Sequence, residues 1–204
     1  MKKRTLALLM AAVMLFGIAV GGTIAWLRDD TDPVVNTFTV GNIDIDLKEH
    51  DYIQSSNSLD ESKEVSSESE YKMIPGIELP KDPFVTVEAN SEKCWVFVTV
   101  TKSANFDTFM TFEMDTKWSK VEENSLTTVY KYNTVVDASA AKQVLNVLKD
   151  KQVCVKDDVT KTQLDAVDLN PTLTFKAYAV QSENLNVNTD AAIWEIAKTA
   201  DTTQ

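Results

Sequence analysis

Most of this chain beyond its first 40 residues is written with a period of two, and that rhythm constrains its fold more than any other feature. Ile43, Ile45 and Leu47 alternate with Asp44, Asp46 and Lys48. Val85 and Val87 alternate with Thr86 and Glu88, and Leu173, Phe175, Ala177 and Ala179 alternate with Thr172, Thr174, Lys176 and Tyr178. Successive side chains of a strand point to opposite faces, so this pattern describes half-buried β-strands, whereas a helix repeats its apolar positions every three or four residues. Cys94-Trp95-Val96-Phe97-Val98-Thr99-Val100 is apolar on both faces apart from Thr99. It reads as a central strand with one face in a core and the other covered by a helix, a loop or a neighbouring chain.

Further strands are expected at 34–40, 109–114, 126–132, 144–148 and 153–156, the last two forming a hairpin across 149–152. The Ala-rich composition of 139–148 also admits a helix. Short helices are expected at 160–166, capped by Thr160, and at 189–197, with Asp190 in the first turn. Pro75-Gly76 and the stretch from Pro80 to Pro83 mark turns. From Ser55 to Glu70, 12 of 16 residues are Ser, Asp or Glu. Such a segment buries too little apolar surface to offset its ordering entropy, so 50–72 is expected to be a mobile Ser/Glu-rich loop. The whole describes an all-β chain, an antiparallel jelly-roll-like sandwich with a few short helices.

The first 25 residues stand apart. Lys2, Lys3 and Arg4 precede an uncharged apolar run from Leu6 to Val20, and small residues follow up to Ala25. A basic start, a short apolar core and a small-residue exit describe a secretory signal peptide, cut between Ala25 and Trp26. A spanning helix needs about 20 apolar residues, and Arg28, Asp29 and Asp30 close this run early. Loss of three basic and no acidic residues takes the net charge from −11 to −14. That charge repels nucleic acid and anionic membrane and suits a secreted protein. Export permits a disulfide between Cys94 and Cys154, which would close a loop of about 60 residues and stabilise by roughly 4 kcal/mol. Two buried free thiols are the alternative.

Gly21-Gly22-Thr23-Ile24-Ala25-Trp26-Leu27, Asn36-Thr37-Phe38-Thr39-Val40-Gly41-Asn42-Ile43, Pro75-Gly76, Lys81-Asp82-Pro83 and 173–181 resemble segments of the SipW-dependent secreted proteins. That family includes TasA-like biofilm fibre subunits and camelysin-like proteins. The resemblance implies a jelly-roll subunit with no cofactor, exported through a SipW-type signal peptidase to the extracellular matrix or cell surface. Its implied partners are further copies of itself or related matrix subunits, joined head-to-tail by N-terminal strand addition. On that reading the chain comprises a leader (1–25), an arm or donor strand (26–40) and a sandwich domain (41–204). Val34, Phe38 and Val40 share one parity in the arm with polar Asn36 between them, and the parity flips at Gly41-Asn42, as a bulge or tight turn requires. An arm pairing within its own domain is the alternative. Pro33 and the acidic Asp29, Asp30 and Asp32 would keep the start of the arm out of any groove.

Catalytic chemistry is sparse. Camelysin-like relatives are classed as metallopeptidases, but this chain has one histidine, His50, and no H-E-x-x-H. A Ser or Cys triad would need that same histidine, there is no G-x-S-x-G, and His50 reads as a solvated residue at a strand end. Calcium at Asp29-Asp30-Asp32 lacks the EF-hand spacing. No catalytic or metal-binding residue is assigned. A monomeric adhesin or carbohydrate-binding module, stacking sugars on Trp95, Trp118 or Trp194, is the second reading.

Overall fold

The computed structural model describes residues 42–66, 70–165 and 170–200. Among the described residues eleven strands and three short helices build antiparallel sheets in a sandwich-like arrangement, so the fold is all-β with few helices. The first sheet runs β2-β1-β4-β9, formed by Ile45–Ile53 (β1), Ser58–Val65 (β2), Phe84–Val87 (β4) and Gln143–Asn146 (β9). The second runs β11-β5-β8-β7, formed by Cys94–Lys102 (β5), Trp118–Glu123 (β7), Thr127–Tyr132 (β8) and Leu173–Gln181 (β11). A third, β3-β10-β6, joins Glu78–Pro80 (β3), Met110–Met114 (β6) and Leu148–Val155 (β10). The helices are Phe106–Phe109 (α1), Lys161–Asp165 (α2) and Asp190–Ala200 (α3).

The period-two segments supply the main core. Val85 and Val87 of β4 meet Val96, Val98 and Val100 of β5, and Cys94, Trp118, Leu145 and Val147 complete the cluster. β5 lies between β11 and β8, as its two-faced apolarity demands. Its even positions enter that core; Phe97 enters a second cluster with Val129, Val180, Ile193, Trp194 and Ala197. The cover is therefore α3, whose Trp194 ring lies 5.5 Å from Phe97 and 4.9 Å from Tyr178. Thr189 Oγ1 accepts the Ala192 amide at 3.3 Å and Asp190 occupies the first turn, the local reasons this helix starts where it does. A third cluster unites Leu79, Met110, Leu148, Val153 and Val155 of the small sheet with Phe106 and Phe109 of α1.

The turn and cap signals act as expected. Ile77 N–H donates to Ile74 O at 3.1 Å across Pro75-Gly76, and Gly76 takes φ +73°, the positive value this proline–glycine turn requires. Thr160 and Gln163 cap α2 reciprocally: Thr160 N–H reaches Gln163 Oε1 at 2.8 Å, and Gln163 N–H reaches Thr160 Oγ1 at 3.3 Å.

Three expectations fail. Much of the supposed mobile loop is strand: residues 50–53 end β1, and 58–65 form β2, paired in the register Ile53↔Ser58 and Tyr52↔Leu59 with a bulge after His50. This ribbon is ordered by backbone pairing with little apolar burial. Interleaved charges support it, with Lys63 within 3.7 Å of Asp51 and 3.6 Å of Asp60, and Lys48 within 3.5 Å of Glu64. The hairpin of 144–148 with 153–156 does not form. β9 pairs with β4 and β10 with β3 and β6, so the two segments belong to different sheets. The turn expected at 149–152 is instead a bulge within β10, where Asp150 (φ 53°) and Lys151 (φ 55°) are both left-handed. β3 and β7 were not expected; both are short, and the exposed face of β7 is charged.

Candidate interaction groove

β1 and β11 flank a seam in the main core. Ile43, Ile45 and Leu47 on one side and Leu173, Phe175, Ala177 and Ala179 on the other all pack against the central cluster, yet all stay only partly buried. The inward side chains of β4 and β5, by contrast, are fully buried. The difference follows from strand order. β5 pairs with β11 along all nine residues, Leu173↔Lys102 to Gln181↔Cys94, and among the described residues no other strand pairs with β11. Among the described residues the other side of β11 carries no strand-pairing hydrogen bonds, though part of β1 lies within 8 Å of it.

At one end the seam widens into a groove of about 780 Å³. Its walls are Leu47, Lys48 and Glu49 of β1, Tyr71 to Met73, and Leu173 to Phe175 of β11, with Phe106, Met110 and Val153 beneath. These walls mix apolar side chains with polar ones such as Lys48, Lys72 and Thr174, and one ion pair among them is largely enclosed. Lys81 Nζ donates to Glu49 Oε2 at 2.8 Å, and each side chain is only 12% exposed. The ammonium also lies 5.3 Å from the Tyr71 ring and 5.8 Å from the Phe175 ring, close enough for cation–π attraction. Lys81 is held in place through its backbone, whose N–H donates to Lys151 O at 2.8 Å.

The next residue on each segment makes a second pair. Asp82 accepts the His50 backbone N–H at Oδ1 (3.0 Å) and meets His50 Nδ1 at Oδ2 (2.6 Å). Lys151 Nζ approaches the same oxygen at 3.7 Å. The Asp82 side chain is 1% exposed, and the His50 ring packs 5.2 Å from Phe84. His50 is therefore a half-buried tie between β1 and the β3–β4 connection, not a solvated strand end. The sequence signal was adjacency: Glu49-His50 opposite Lys81-Asp82 offers one opposite-charge pair and one histidine–carboxylate hydrogen bond in neighbouring register.

Cys94 and Cys154 are both free thiols, which corrects the disulfide expectation. Cys94 lies buried in β5, where it pairs with Gln181 and bridges to Val136, whereas Cys154 lies in β10 between Glu78 and Thr111. The two occupy different sheets. Burial pushes the Cys94 thiol up to about 11, so it serves as a small hydrophobe. Cys154 is also raised, first by burial and then by the charges of Glu78, Glu113 and Asp157.

The three tryptophans among the described residues are engaged in packing. Trp118 and Trp194 are buried, and Trp95 is half-buried beneath Lys131, whose Nζ lies 4.1 Å from its ring and also pairs with Asp190. Trp118 Nε1 donates to Asn146 O at 2.7 Å. Among the described residues no group of three or more His, Cys, Asp and Glu is placed to hold a metal ion. The cleavage pair Ala25 and Trp26, the arm residues Val34, Asn36, Phe38 and Val40, and Asp29-Asp30-Asp32 lie outside the described residues. No family model, curated protein or solved structure matches the chain.

Proposed function

We propose that this chain is an exported structural subunit, without catalytic activity of its own, that assembles head-to-tail in the extracellular matrix or at the cell surface. The segment 26–40 of one copy adds as a strand at the seam between β1 and β11 of the next. The observation that carries this reading is the seam itself: an open nine-residue strand edge beside inward apolar side chains that stay half-buried. An extended segment with alternating apolar residues satisfies both at once, by backbone hydrogen bonds along the edge and by side chains entering the core. Donor and acceptor surfaces differ, so the contact propagates into open filaments instead of closing on itself. The resemblance of 21–43 to the SipW-dependent secreted proteins supports the same reading. Of the three tryptophans that the sugar-stacking alternative would use, Trp118 and Trp194 are buried and Trp95 is half-buried.

The test is assembly of the chain beginning at Trp26, followed by electron microscopy and sedimentation. Filaments are expected, and removal of 26–40 is expected to leave a soluble folded monomer. Equal polymerisation of both forms, or a monomeric chain from Trp26 that binds matrix glycans, would contradict the proposal.

A further inference from the structure

β1 changes partner halfway along. Residues 45–48 pair with β4, whereas 49–53 pair with β2, which lies on the opposite side. Among the described residues no strand pairs with 45–48 on the side that β2 takes further along. The groove begins at that break, with Leu47, Lys48 and Val65 in its walls. We infer that residues 34–40 of the same chain fill this place before assembly, folding back on β1 as a hairpin closed by Gly41-Asn42. The inference deepens the strand-addition reading and rests on it in one respect: the segment that joins copies must first leave its own β1.

Three observations meet at that turn. The first is the phase of the backbone. Glu88 N–H donates to Asp44 O at 2.9 Å, and Asp44 N–H donates to Ser91 Oγ at 3.1 Å. Asp44 thus turns its backbone towards the β4 side. Neighbouring residues of a strand turn theirs the other way, so Ile43, Ile45 and Leu47 aim N–H and C=O groups at the side that β4 leaves open. A two-residue turn at 41–42 requires this arrangement, since it makes 40↔43 a hydrogen-bonded pair and repeats at 38↔45 and 36↔47. The second is the face. Residues directly opposite in an antiparallel pair share a face, and Ile43, Ile45 and Leu47 pack inward on the main core while staying half-buried. The register therefore sets Val40 beside Ile43 and Phe38 beside Ile45, apolar on apolar. Asn36 comes beside Leu47 at the groove, where Lys48 and Lys72 already line the wall. A slip of one residue would turn this whole apolar set to solvent. The third is turn chemistry. Glycine leads the loop, as a II′ turn demands, and Gly-Asn is a favoured two-residue hairpin connection.

The test uses the chain beginning at Trp26, kept too dilute to assemble, with Cys94 and Cys154 replaced by Ala. Asp44 and Asp46 are exposed, so cysteines placed there leave the core intact. Thr39→Cys with Asp44→Cys and Thr37→Cys with Asp46→Cys are the facing pairs, set by the hairpin at about 4.5 Å between Cα atoms, inside the disulfide range. The crossed pairs, Thr37→Cys with Asp44→Cys and Thr39→Cys with Asp46→Cys, lie about 7–8 Å apart and serve as controls. Oxidation is expected to bridge the facing pairs about tenfold faster or more than the crossed ones. A disordered arm would bridge all four at similar rates, because both sets span the same mean number of residues. Similar rates would overturn the hairpin, and strand addition would stand if the chain still assembles when concentrated. The bridge between positions 37 and 46 should abolish assembly, and reduction should restore it. A bridged chain that assembles as fast as the reduced one would overturn the release step. Fast facing bridges in a chain that never forms filaments would keep the hairpin as an ordinary first strand and remove strand addition.

Discussion

Replacing Trp194 with Ala should cost about 3–5 kcal/mol of unfolding free energy, as deletion of a large buried aromatic side chain does. The physical reason begins in β5. Its odd-numbered positions include Phe97, which has no exposed surface, and among the described residues α3 covers that face together with Leu185. Trp194 is the largest buried side chain of that helix, packed in tilted contact with Phe97 and edge-on to Tyr178. An 11-residue helix has little stability of its own, so loss of its main anchor should loosen the whole element. Urea unfolding followed by near-ultraviolet circular dichroism checks this. Trp95→Ala is the control: that ring is half-buried and covered by Lys131, so its removal should cost distinctly less. A loss below about 1 kcal/mol for Trp194→Ala would mean that α3 is not the cover.

Asp82→Ala is expected to destabilise by a similar amount, about 3–5 kcal/mol, because it breaks a buried charged cluster on one side only. Asp82 serves two donors on His50 and lies near the Lys151 ammonium, while its own side chain is almost wholly enclosed. Removing it leaves the His50 amide without its acceptor and the ring without its partner. Asp82→Asn keeps an acceptor for the amide and should recover part of the loss. Lys151→Ala removes only a long, half-exposed contact and should cost under about 1 kcal/mol. Chemical denaturation of the three variants at one pH ranks them. Equal effects of Asp82→Ala and Lys151→Ala would show that the carboxylate is not the centre of the tie.

Elements whose burial follows sequence parity were legible in advance. β11 alternates because one face enters the core, and the doubly apolar β5 could be placed centrally before its cover was known. Pro75-Gly76 and Thr160 announced a turn and a cap because each acts through atoms a few residues away. What stayed hidden depends on distant partners. β2 reads as disordered since its order comes from backbone bonds to β1 and from interleaved charges, neither of which leaves an apolar period. β9 and β10 are adjacent in sequence but enter different sheets, a choice made by β4, β3 and β6. His50 looked solvated because its partner Asp82 lies 32 positions away. The groove was illegible for the same reason: its walls come from β1, from 71–73 and from β11, and only the fold brings them together.

The contrast within the core bears directly on function. The interior is sealed at β4 and β5 but half-covered along β1 and β11, which is what the proposed strand addition would complete. In an edge strand, alternate amides point to the paired neighbour and the rest point outward. Hydrogen exchange on the chain beginning at Trp26, compared between monomer and assembled form, reads the outward set between Leu173 and Gln181. Strand addition requires those amides to gain strong protection on assembly, while the set bonded to β5 changes little. Assembly that leaves the outward amides of β11 exchanging as fast as in the monomer would contradict the account.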